Sequence, residues 1–110
     1  MQLKTGNLYK PVKRTENEYI TELLSCKSKN LRIEHIISQG HISPPSFWYD
    51  QSEFEFVAVL QGSAKLEFEN NKILELNRGD WVFIPAHEKH RVIYTSSEEP
   101  CIWLAVFGDE

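Results

Sequence analysis

The chain has 110 residues, 41% hydrophobic and 25% charged, with a net charge of −4 and a pI near 5.6. A domain of that length buries roughly 65% of the surface its unfolded chain exposes, so the sequence reads as one domain over residues 1–110. The acidic balance excludes a nucleic-acid partner, which needs a basic footprint. Lys27, Lys29 and Arg32, the densest basic patch, stand beside Glu34 and read as a solvated strand edge.

Residues 1–17 form a polar lead-in with no apolar core of a signal peptide. EYITELLS (18–25) fits either one helical turn or a strand edge. LRIEHIIS (31–38) is a strand ending at Gly40, and FEFVAVL (54–60) is a strand ending at Gly62. In SAKLEFE (63–69), Ala64, Leu66 and Phe68 alternate with charged residues, the pattern of a half-buried strand. Asn70-Asn71 predicts a tight hairpin turn into KILEL (72–76), because Asn tolerates positive φ. A second turn at Asn77-Arg78-Gly79-Asp80 leads to WVFI (81–84), with Asp80 expected to cap backbone donors. HRVIYT (90–95) and CIWLAVF (101–107) complete the series.

Seven or eight short strands without a long helix predict an all-β antiparallel sandwich or barrel. Both faces of FEFVAVL and of CIWLAVF are apolar, whereas a two-layer β structure needs only one. The surplus predicts a second covered surface: a homodimer, or a lid made by the N-terminal segment. The longest apolar run, CIWLAVF, is too short to span a bilayer, so no membrane partner is expected. Cys26 and Cys101 lack CxxC spacing, and two free thiols in a reducing cytoplasm are expected.

One feature conflicts with the core reading. Glu55 sits one residue into an apolar strand, behind the polar residues Tyr49, Asp50 and Gln51. A carboxylate carried into a closed barrel has to be neutralised, paired or coordinated.

The pattern Glu55, six residues, Gly62, then Gly79, five residues, Pro85, then His90 resembles the cupin superfamily. The resemblance spans residues 47–94 and extends to small single-domain cupins through SPPSFWYDQ and IPAHEKHRV. It implies a double-stranded jelly roll with its barrel over about 31–107. That family's first motif, His-x-His, three or four residues, Glu, six residues, Gly, lacks both histidines here. With three intervening residues their places fall to Tyr49 and Gln51; with four, to Trp48 and Asp50. In the second motif His87 takes the internal glycine position and Tyr94 replaces the asparagine.

What the resemblance implies for chemistry is a divalent ion (Zn²⁺, Mn²⁺ or Fe²⁺) held by Glu55, His90 and Asp50, with Gln51 as the alternative ligand. Trp48, Tyr49, Gln51 and Tyr94 are expected at the pocket. His90 would face inward with Val92 and Tyr94 if the strand alternates regularly. The opposing reading is a metal-free cavity in which Glu55 accepts hydrogen bonds from Arg91 or Tyr94. His87 is expected to be exposed, His35 to be a hydrogen-bonded structural residue, and His41 to have no role. The functional expectation is a pocket for a small organic ligand, with metal-dependent oxygenase, isomerase or hydrolase chemistry. The alternatives are a non-catalytic binding or sensor protein, and a structural dimer module with a vestigial pocket.

Overall fold

The computed structural model describes residues 3–109; the first two residues and the last of the expected 1–110 span lie outside the described residues. Among the described residues eight strands follow in order: β1 (Tyr19–Cys26), β2 (Leu31–Ser38), β3 (Phe54–Gln61), β4 (Ser63–Phe68), β5 (Ile73–Asn77), β6 (Trp81–Ile84), β7 (His90–Thr95) and β8 (Cys101–Gly108). A single 3₁₀ turn, Lys27–Lys29, joins β1 to β2. The ambiguous EYITELLS is therefore a strand: pairing along β2 decides what its local pattern left open.

The strands form two antiparallel sheets, ordered β1-β2-β8-β3-β6 and β5-β4-β7. This is the expected jelly roll. Inward-facing side chains of both sheets share one core: Val57, Val59, Ala64, Leu66, Leu76, Ile84, Cys101, Trp103, Ala105 and Phe107. Fully burying each large aliphatic of this set contributes about 1.5–3 kcal/mol.

Turn chemistry follows the sequence. Asn71 adopts φ 65° in the β4–β5 hairpin, and Asp80 Oδ2 accepts the Asn77 N–H at 2.8 Å. Gly62 has φ 75° between β3 and β4; a Cβ there would stand 2.5 Å from Ser96 Oγ and 2.8 Å from the Pro100 carbonyl oxygen. Only glycine satisfies both constraints without strain.

Among the described residues three irregularities set which residues face inward, one on β1 between Glu22 and Leu24, one on β7 and one on β3. On β7, Val92 pairs with Leu66 but Tyr94 pairs with Lys65, so Ile93 is an extra residue in the ladder. This β-bulge reverses the facing beyond it. Tyr94 turns outward and is exposed, its ring lying 5.5 Å from the Lys65 ammonium, while Thr95 turns inward and is buried. The regular alternation that would have put Tyr94 beside His90 is corrected by that one residue. On β3 a similar shift lies between Val59 and Gln61.

The outer face of the larger sheet carries an apolar row across all five strands. Leu24, Ile33, Val106, Phe56 and Phe83 align in one row. Phe56 stacks on Trp81 and Phe54 packs on Phe83, each at 5.4 Å between ring centroids. The N-terminal segment covers the β1–β2 part of this face. The His35 ring donates from Nε2 to the Leu8 carbonyl at 2.7 Å, and the Tyr9 hydroxyl donates to the Leu60 carbonyl at 3.4 Å. A space of about 570 Å³ remains beneath the segment. It does not shield Trp81 and Phe83, which are 63% and 44% exposed.

Candidate functional site

Alternation on β2, β8, β3 and β6 puts Arg32, Phe107, Glu55 and Ile84 in register on the inner face, near one end of the barrel. Toward the other end lie Ile36, Trp103 and Val59, then the buried Ser38 bonded to Glu18, while the ionic groups Arg32 and Glu55 stay at the first end. The segment before β3 brings further groups there. Tyr49 bridges to β7, its N–H donating to the His90 carbonyl at 2.7 Å and its carbonyl accepting the His90 N–H at 3.2 Å. Two residues on, the Gln51 carbonyl accepts the His87 N–H at 2.8 Å. Pinned at both points, residues 49–51 alternate as a strand would: Tyr49 and Gln51 line the cavity and Asp50 points away.

The cavity holds about 180 Å³, space for about six waters. Its centre is a buried pair. His90 Nε2 lies 3.1 Å from Glu55 Oε1, with side chains 5% and 15% exposed. His90 Nδ1 donates to the Glu88 carbonyl at 2.9 Å, which fixes the ring and turns Nε2 toward the carboxylate. Gln51 donates from Nε2 to the same Glu55 oxygen at 3.3 Å. Among the described residues no side chain bonds Oε2, so one carboxylate oxygen is held and the other is available to a ligand. Tyr49 stacks on the imidazole at 5.4 Å and 23°. Burial lowers the His90 pKa, but the bonds to Glu55 and the Glu88 carbonyl outweigh it and the net shift is upward. Burial raises the Tyr49 phenol, with Glu18, Glu55 and Glu34 adding to the shift, so it stays protonated.

Of the residues expected from sequence, Glu55, His90, Gln51 and Tyr49 come together. Asp50 does not join them: its Oδ1 accepts from His87 Nδ1 at 2.8 Å, in a pair 42% and 67% exposed. Tyr94 is outside because of the bulge, and Trp48 lies against the Arg91 guanidinium at 5.8 Å rather than on the cavity wall. Arg91 itself turns to Glu67 and to the Ser43 and Pro44 carbonyls, so it is no partner of Glu55. Sequence reasoning missed three lining groups, Glu18, Arg32 and Glu34. Arg32 donates to Glu34 at 3.0 Å and to both Glu53 oxygens at 2.8 Å, over the Phe107 ring at 4.0 Å. The inward parity of LRIEHIIS could have found Arg32 and Glu34, had the charged positions rather than the isoleucines been followed.

The donor set can be tested against a divalent ion. Catalytic zinc and non-haem iron sites use three protein ligands. Here Glu55 and His90 supply two, Gln51 offers an amide, and Tyr49 is a neutral phenol where a stronger donor would be needed. Among the described residues no group of three or more His, Cys, Asp or Glu side chains could hold a metal. These side chains do not fit a tightly bound divalent ion.

Comparison with known proteins agrees with the fold. The family model described as Cupin domain matches residues 34–107. A Ralstonia eutropha JMP134 protein described as a "putative mannose-6-phosphate isomerase" is 44% identical, over 97% of this chain and 99% of that one, with a TM-score of 0.91. An RmlC-like cupin protein from Desulfovibrio desulfuricans (15% identity, 97% of each chain, TM-score 0.75) shares the fold. So does a cupin superfamily protein from Desulfitobacterium hafniense, at 16% identity over 91% of this chain and 84% of that one, with a TM-score of 0.73. No curated protein matches the chain. Among the described residues no helix is long and apolar enough to cross a membrane.

Proposed function

The chain belongs to the cupin family, and we propose that its barrel cavity binds a small organic molecule at the Glu55–His90 pair and transfers protons on it. The observation carrying this reading is the asymmetry of the pair. Glu55 Oε1 is held by His90 and Gln51 while Oε2 is left to the cavity, and His90 is fixed through Glu88. Glu55 Oε2 is then the base that takes a proton from carbon or hydroxyl of the ligand. Glu55 also returns the proton, and the His90 imidazolium, favoured by its raised pKa, orients the carboxylate through Oε1. Tyr49 donates its phenolic proton to a ligand oxygen. A resident metal ion is not required, since proton transfer α to a carbonyl needs only a positioned base and an oxygen-directed donor. The description of the 44%-identical Ralstonia protein as a "putative mannose-6-phosphate isomerase" lends support to proton-transfer chemistry.

The test is hydrogen exchange. Reducing sugars and small hydroxy-carbonyl compounds are incubated with the protein in D₂O after removal of metals, and loss of the proton α to the carbonyl is followed by NMR. Exchange that disappears in Glu55→Gln and His90→Gln supports the reading. Exchange absent from the wild type, with ligand binding intact, would leave a non-catalytic binding protein. Exchange restored only by added Mn²⁺, Fe²⁺ or Zn²⁺, with one ion per chain by elemental analysis, would replace the metal-free reading with the metal-dependent one.

A homodimer is also proposed, seated on the outer face of β3 and β6. Trp81, Phe83 and Leu24 are 63%, 44% and 46% exposed on or beside one apolar row, and a flat row of this kind is self-complementary about a two-fold axis.

A further inference from the structure

Resting on the reading that the cavity holds a ligand at the Glu55–His90 pair, we infer that this ligand is a hydroxyl-rich molecule without a phosphate or carboxylate group. The inference comes from the charge balance of the walls. Three carboxylates, Glu18, Glu34 and Glu55, line the cavity, and the cationic groups among the lining residues are Arg32 and His90. Both cations are already offset by carboxylates, Arg32 by two of them, so neither brings unbalanced positive charge to an anion. Arg32 gives Nε to Glu34 and holds both oxygens of Glu53 through Nη1 at 2.8 Å; the His90 ring is committed to Glu55 and the Glu88 carbonyl. Recognition of a phosphate needs a free guanidinium, an ammonium or a nest of backbone N–H groups. Here an incoming dianion would meet three like charges and two cations already paired. Each carboxylate instead keeps one oxygen without a side-chain donor among the described residues, and hydroxyl groups supply donors without bringing charge. The same three carboxylates line this one space beside Tyr49 and add to burial in raising its phenol.

The cavity carries its own reporter. The Trp103 indole N–H donates to Ser38 Oγ at 3.1 Å, and the Ser38 hydroxyl in turn donates to Glu18, so occupancy of the acidic wall is felt at Trp103. Trp81, on the outer face, is the internal control. The ¹⁵N-labelled full chain is titrated with D-mannose and with D-mannose 6-phosphate, two probes differing only in the phosphate, and the assigned indole signals are followed. Mannose shifts the Trp103 signal and leaves Trp81 unmoved, and the ester binds at least about tenfold more weakly. Glu18→Gln, which keeps a polar side chain beside Ser38, narrows that gap several-fold. Equal or tighter binding of the ester, with the Trp103 signal shifting, overturns the charge inference and leaves the cavity reading standing. Silence from both sugars, while the exchange experiment finds turnover of some other compound, overturns the hydroxyl-rich class alone. Silence in both experiments overturns the cavity reading as well.

Discussion

The two faces of β3 differ in how their difficult residues are satisfied. Inward, Glu55 is a carboxylate within an apolar strand, and it is held by two hydrogen bonds from other elements. Outward, Phe54 and Phe56 stack against Phe83 and Trp81, yet much of those two partners' surface faces solvent. Burial alone would point to the wrong face, since the polar face is enclosed and the apolar face is open. A polar group inside is evidence of a site only because its partners orient it and leave an atom unused; an apolar group outside is evidence of a partner only when its neighbours form a continuous row.

The largest effect expected from breaking this contrast comes from one residue type on the two faces. Trp103→Ala, at a site 4% exposed, should cost about 3–5 kcal/mol by urea unfolding. Trp81→Ala, at a site 63% exposed, should cost about 1 kcal/mol or less within one chain. Sedimentation sharpens the result. The wild type is expected at the mass of two chains and a Trp81→Asp, Phe83→Asp double variant at the mass of one; a wild type that stays single at high concentration would remove the dimer.

Next come two histidine–carboxylate pairs. His90→Ala leaves Glu55 buried beside an empty space and should cost about 1.5–3 kcal/mol, the range for a hydrogen bond to a charged group. Asp50→Asn, in the exposed pair with His87, should change stability by about 0–1 kcal/mol. Similar losses in both would mean that the inner pair is no more organised than the surface one.

A smaller effect concerns pH. The folded-state pKa of His90 is raised above its ordinary 6.5. Its stabilisation is therefore complete below that value and is lost as pH rises through the folded pKa. The stability difference between wild type and His90→Gln should be widest near pH 6 and shrink progressively above about 6.5, measured by urea midpoints without metal ions. A difference that grows with pH would reverse the assignment.

The smallest change is expected to stabilise. His87 adopts φ 64°, a left-handed conformation that favours glycine. His87→Gly should raise stability by about 0.5–1 kcal/mol despite losing the Asp50 pair. Its melting temperature against the wild type checks this.

Much of the fold was legible because local rules and global packing agree. The alternation in SAKLEFE, the Asn70-Asn71 turn and the glycines at 62 and 79 each have one physical solution, and both glycines take positive φ. The site was legible only where strand parity carries through. Glu55 and His90 sit at strand starts and face as parity requires. Tyr49 to Gln51 form no named strand, so the choice between Asp50 and Gln51 depended on bridges to residues about 40 positions away. Tyr94 was misplaced because nothing in HRVIYT announces an extra residue at Ile93; the bulge exists through its pairing with Lys65 and Leu66.

That bulge also determines the traffic of the molecule. By swinging Thr95 inward, where its hydroxyl donates to the His41 carbonyl at 2.6 Å, it helps to stopper the far end of the roll above Val59, Ala64 and Cys101, all 0% exposed. The vessel therefore has a floor. If the cavity holds the proposed ligand, that guest departs by the doorway through which it arrived, and it and its successor contend for one threshold.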